Sequence, residues 1–180
     1  KMTMGFEVNY KKLMELGMDW ADYLGFETGE FLLELPTRSL PPDWERMVFQ
    51  LQGKGYTVII AHPERYKPVQ ENLDIVRQFI GAGCKIQVSA DFMGEGSFSP
   101  IKKTAKKLFE EDLVNFIASD AHRATVRTPQ MHEIYQYISH TYSEETAQQL
   151  MQDNPLRVCE NRPLITPNFI PYTHTSYLEM

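Results

Sequence analysis

Hydrophobic positions along this chain follow two alternating rhythms. One is a short apolar run, as in Val58-Ile59-Ile60-Ala61 and Phe116-Ile117-Ala118. Such a run is the signature of a strand buried in a parallel sheet. The other is an apolar stripe at helical spacing. Trp44, Met47, Val48 and Leu51 fall at i, i+3, i+4 and i+7, with Pro41-Pro42 before them and Gly53 and Gly55 after. Strands are predicted over 6–10, 31–35, 57–61, 85–89 and 115–119. Helices are predicted through Leu13, Met14 and Leu16 up to Gly17, through Trp44–Leu51, and through Val69, Leu73, Val76 and Ile80. Ile101, Ala105, Leu108 and Phe109 make another stripe. Thr128-Pro129 reads as an N-cap and first helical residue, ahead of Met131, Ile134, Tyr135 and Ile138. A last helix starts at Ser143-Glu144-Glu145 and ends near Asn154-Pro155. From Arg162 the prolines at 163, 167 and 171 predict an extended tail.

Five strands, most followed by a helix, predict a parallel α/β fold. An open sheet and a barrel both satisfy the pattern. Neither G-x-G-x-x-G nor G-x-x-x-x-G-K-[ST] is present, so the pattern lends no support to a nucleotide-binding sheet. With 180 residues, one domain over 1–161 and a tail over 162–180 is the simplest division. Eighteen basic and 24 acidic residues leave a net charge of −6, which argues against a nucleic-acid surface. There is no apolar run of about 18 residues for a spanning helix, and no leader-like start. Cys84 and Cys159 do not make a disulfide framework. A cytoplasmic location is the default expectation.

The polar residues gather just past two strand ends. His62-Pro63-Glu64-Arg65-Tyr66 follows the third strand, and Ser119-Asp120-Ala121-His122 follows the fifth. Parallel α/β folds carry their chemistry at those ends. Imidazole and carboxylate are ordinary ligands for divalent zinc, manganese and iron. The competing structural readings are plain. A histidine at a strand end can be a hydrogen-bonded framework residue, Glu7 a solvated strand residue, Arg65 the partner of a helix carboxylate, and Arg127 a flank to a helix start. Glu34 reads as a structural partner within its strand, not as a ligand. His132 and His140 read as surface positions on a helix.

In order along the chain, GFEVNY (5–10), FLLELP (31–36), GYTVIIAHPERY (55–66), QVSA (87–90) and IASDAH (117–122), with Arg127 beyond, form a series. This series resembles the bacterial protein-tyrosine phosphatases of the PHP (polymerase and histidinol phosphatase) superfamily, of the CpsB and YwqE type that regulates capsule and exopolysaccharide synthesis. The resemblance covers nearly all of residues 5–161. It implies a distorted seven-stranded (β/α) barrel of parallel strands, present here as an incomplete barrel, with a metal cluster at the strand C-termini. It implies Glu7, His62, Asp120 and His122 as metal ligands, and Arg65 and Arg127 as the arginines that hold the substrate phosphate. The metal implied is manganese, with iron or zinc in related proteins. The partner implied is a phosphotyrosine protein, a bacterial tyrosine autokinase. The His-x-His strand that opens the superfamily pattern has no counterpart in this sequence. That departure predicts incomplete metal loading, weak turnover and self-association through open strand edges. A small-molecule phosphoesterase of the histidinol-phosphate kind and a metal-poor binding scaffold are the rival expectations.

Overall fold

The structure, a computed structural model, describes residues 4–122 and 131–165. Its centre is a five-stranded sheet: β1 (Glu7–Asn9), β2 (Glu30–Glu34), β3 (Thr57–Ala61), β4 (Lys85–Ser89) and β5 (Phe116–Ala118). All neighbours are parallel, and the spatial order is the sequence order, β1-β2-β3-β4-β5. Right-handed crossovers in a sheet that never reverses its order bring every connecting helix to the same face. That is the winding of a barrel wall, not of a doubly wound sheet.

The helices are α1 (Tyr10–Leu16), α2 (Ala21–Leu24), α3 (Trp44–Gly53), α4 (Lys67–Glu71), α5 (Asp74–Gly81), α6 (Pro100–Glu110), α7 (Met131–Thr141), α8 (Glu144–Gln148) and α9 (Asn154–Cys159). The strand alternation shows how they pack. Val8, Phe31, Leu33, Val58, Ile60, Ile86 and Val88 are buried in the core with the helix faces. Their neighbours on the other face of β1 and β2, namely Glu7, Asn9, Glu30, Leu32 and Glu34, are half-buried or exposed. One face of the sheet is thus sealed by apolar packing, and the other carries carboxylates. All four residues of the Trp44–Leu51 stripe are buried, with Trp44 edge-on to Phe79 at 4.8 Å between ring centroids.

Two expected helices differ in the structure. The stripe from Val69 to Ile80 is divided between α4 and α5. Asn72 between them has an extended backbone, and its side chain accepts from the Asp74 N–H at 3.0 Å, starting a new helix instead of continuing the old one. The last helix does not end at Asn154-Pro155. Ser143 caps α8 through the Thr146 N–H as expected, but the chain then runs through one wide π turn at Gln149–Asp153 into α9. Pro155 sits in the first turn of α9 and has no N–H to give to the preceding turn, so it falls where the chain leaves the wide π turn. Asn154 holds the junction: its amide donates to the Asn115 and Ile165 carbonyls and accepts from the Ile165 N–H at 2.8 Å. No helix among the described residues is long and apolar enough to cross a membrane.

Candidate functional site

The site forms where β1, β2 and β3 come side by side. Glu7 and Leu32 are register partners, and so are Leu32 and Ile59, so the carboxylate face of β1 and β2 meets the end of β3. Immediately after β3, His62 adopts a left-handed backbone, φ 35° and ψ 55°. A non-glycine residue there is uncommon and strained by about 1–3 kcal/mol. The turn points the imidazole at the carboxylates. His62 Nε2 lies 3.0 Å from Glu7 Oε1 and 3.9 Å from Glu34 Oε1. One ligand atom from each of Glu7, Glu34 and His62 lies within 4.8 Å of the other two.

Framework residues fix each of these side chains. Asn9 caps α1 by accepting from the Lys11 N–H, and its amide donates to Glu34 Oε2 at 2.7 Å. The Tyr66 hydroxyl donates to the Ala61 carbonyl at 2.6 Å and accepts from the Leu35 N–H at 3.0 Å. It therefore ties together the backbones next to His62 and Glu34. Glu64 is fully buried, and its Oε1 accepts from the Ser89 N–H at 2.9 Å, which holds the Pro63–Arg65 turn to the end of β4. Burial pushes the Glu64 carboxyl up to about 7.

The electrostatics favour a positive charge between the two carboxylates. The hydrogen bond from His62 holds the Glu7 carboxyl below its usual range, against desolvation. Burial opposes charge on His62, but the hydrogen bond to Glu7 and the fields of Glu7, Glu64 and Asp120 outweigh it and raise its pKa. His62 Nδ1 is buried without a hydrogen-bond partner among the described residues. Two carboxylates and one imidazole edge converging on a single spot form a donor set that suits a divalent cation.

A second group adjoins the first. The Arg65 guanidinium pairs with Asp91 and stands 3.5 Å from Asp120 Oδ2. Asp120 also has a left-handed backbone, φ 47°, just past β5. His122 turns back on Asp120, with Nδ1 2.8 Å from its carbonyl oxygen and 3.6 Å from Oδ1, and its side chain is 59% exposed.

Of the residues expected from sequence, Glu7 and His62 are thus in contact, and Arg65, Asp120 and His122 form the adjoining group. Asp120 and His122 do not enter the metal-sized group. Arg127 and the Thr128-Pro129 cap lie outside the described residues. Two residues were missed. Glu34, expected as a structural partner, stands in the ligand-sized group at the C-terminal end of its strand, whose sequence carries a glutamate at each end and so does not single it out. Asp91, just past β4, had the same kind of placement.

Known proteins resemble this chain in sequence and in fold. The tyrosine-protein phosphatase CpsB of Streptococcus pneumoniae is 36% identical over 110 residues, covering 58% of this chain and 45% of that protein. The tyrosine-protein phosphatase YwqE of Bacillus subtilis is 28% identical over 142 residues, covering 79% of this chain and 53% of that protein. The chain therefore spans about half the length of these curated relatives. Among solved structures, one reported with the crystal structures of YwqE from Bacillus subtilis and CpsB from Streptococcus pneumoniae, described as unique metal-dependent tyrosine phosphatases, superposes with a TM-score of 0.82. It shares 25% identity and covers 93% of this chain and 68% of that one. The profile of the family described as "Capsular polysaccharide synthesis, CpsB/CapC" matches residues 1–160, and with that match and the shared fold in agreement, this chain belongs to the CpsB/CapC family.

Proposed function

We propose that this pole of the sheet hydrolyses phosphate monoesters with a bound divalent metal, and that the substrate is phosphotyrosine in a protein. One observation carries the reading: Glu7, Glu34 and His62 bring their ligand atoms within 4.8 Å of one another beside an arginine. These three residues would hold the cation, manganese by preference, with Asp120 and His122 as further ligands from the neighbouring strand end. A bound metal supplies an activated water and neutralises phosphoryl charge. The chain's own side chains supply the rest. Arg65 matches phosphoryl oxygens with paired N–H donors, and Arg127 is proposed as a second such donor. Glu64 and Tyr66 keep the turn and strand ends fixed, so donors and substrate meet in one geometry. Relatives named as tyrosine-protein phosphatases support the substrate class. The proposed partner is a bacterial tyrosine autokinase in the cytoplasm, with exopolysaccharide or capsule synthesis as the regulated process.

The test is hydrolysis of a phosphotyrosine peptide by the 180-residue chain, with and without manganese, against histidinol phosphate and other small phosphomonoesters. Manganese-dependent release of phosphate with preference for the peptide supports the reading. Turnover indifferent to metal, or confined to small phosphomonoesters, contradicts it.

A further inference from the structure

Asp91 is not one of the three residues of the ligand-sized group, yet it is tied into the same pole. Its Oδ1 accepts from the Ser89 hydroxyl at 2.7 Å, and its Oδ2 pairs with Arg65 Nη2. The Ser89 N–H is itself held by buried Glu64. A run of contacts thus leads from the buried turn, through the end of β4, to the guanidinium. Asp120 approaches the same Nη2 from the end of β5, at 3.5 Å. The Arg65 side chain is 17% exposed, and its Nε is buried without a hydrogen-bond partner among the described residues.

A free arginine side chain loses rotamer entropy when it is fixed. An anion that had to order Arg65 itself would bear that cost at each binding event. The geometry points to Asp91 as the positioning residue that aims Arg65 at a phosphoryl dianion. This assignment rests on the phosphoester reading of the site and names what presets its phosphate donor. Asp91 acts through its hydrogen bonds. In Asp91→Asn, the amide oxygen can still accept from Arg65, and the amide N–H can donate to the Ser89 oxygen. Asparagine should therefore replace it, whereas alanine should not.

The test uses inorganic phosphate, titrated by calorimetry into the manganese-loaded 180-residue chain. Asp91→Ala should weaken phosphate binding by about 10-fold or more, since small misplacements of a binding group have effects of that order. Asp91→Asn should keep most of the affinity. In an Arg65→Ala background, Asp91→Ala should add nothing, because the effect runs through that arginine. Wild-type affinity in Asp91→Ala overturns the assignment, and so does an equal loss with and without Arg65. A wild-type chain that binds no phosphate also overturns it. If phosphate binding follows the expected pattern but no phosphate ester is hydrolysed, the phosphatase reading fails and the assignment of Asp91 stands.

Discussion

The two ends of the sheet are built from the same strands and differ in how closely they gather opposite charges. At the C-terminal end, Glu7, Glu34, His62, Arg65, Asp91 and Asp120 crowd together, and two backbones are left-handed. At the N-terminal end lies a cavity of about 580 Å³, lined by Phe6, Phe26, Tyr56, Gly25 and Gly29, with Asp22, Glu27 and Lys54 at its edge. There the packing is close. A Cβ on Gly25 would come within 2.4 Å of the Tyr56 ring, and Tyr56 is itself fixed by a hydrogen bond to the Ala21 carbonyl and an edge contact with Phe31. This hollow is lined by none of the residues of the carboxylate-imidazole site. Converging charge marks the one end; volume and aromatic packing mark the other.

The sharpest test of that contrast is substitution at the charged end. Glu7→Gln should lower manganese-dependent turnover of a phosphotyrosine peptide on the order of 100-fold, as loss of a metal-site group does, while the melting temperature holds. Activity that survives this change would erase the distinction between the ends. Gly25→Ala should do the opposite. It should cost about 1–3 kcal/mol of stability by overpacking, read by urea denaturation, with turnover per folded molecule unchanged.

Tyr66→Phe sharpens the comparison further, because its hydroxyl belongs to the frame but braces the site. It leaves the Leu35 N–H and the Ala61 carbonyl without this partner, a loss of about 1–3 kcal/mol. Manganese affinity should fall along with stability, since the braced backbones carry Glu34 and His62. Unchanged metal affinity in a destabilised protein would show that the brace serves the frame alone.

Much of the frame was legible before the structure. Strands β3 and β4 have the bounds that their apolar runs predicted, and the Trp44 stripe is buried throughout. The missed break at Asn72 and the helix running past Asn154 have a common cause. Both turn on an asparagine side chain: Asn72 restarts the helix through a local bond to the Asp74 N–H, while Asn154 reaches Asn115, a partner far away in sequence. The site was legible where a motif put several polar residues together, as at His62–Tyr66. Glu34 was not, because a single carboxylate in a strand takes its meaning from the strands beside it. Only the register with β1 and β3 shows that it faces His62.

The smallest expected effect concerns Cys84, which is buried just before β4 and whose thiol is pushed up to about 12 by desolvation. It should resist a thiol reagent at pH 8 in the native protein and react on unfolding. Ready native-state labelling of Cys84, located by peptide mass mapping, would mean that the frame opens.

The central claim is that Glu7, Glu34 and His62 together hold a divalent cation. Manganese binding to the 180-residue chain, followed by electron paramagnetic resonance of the free ion, tests it most directly when set beside Glu34→Gln. The account predicts a site in the wild-type chain that is weakened by about 10-fold or more in the variant. Equal binding by the two proteins would contradict it.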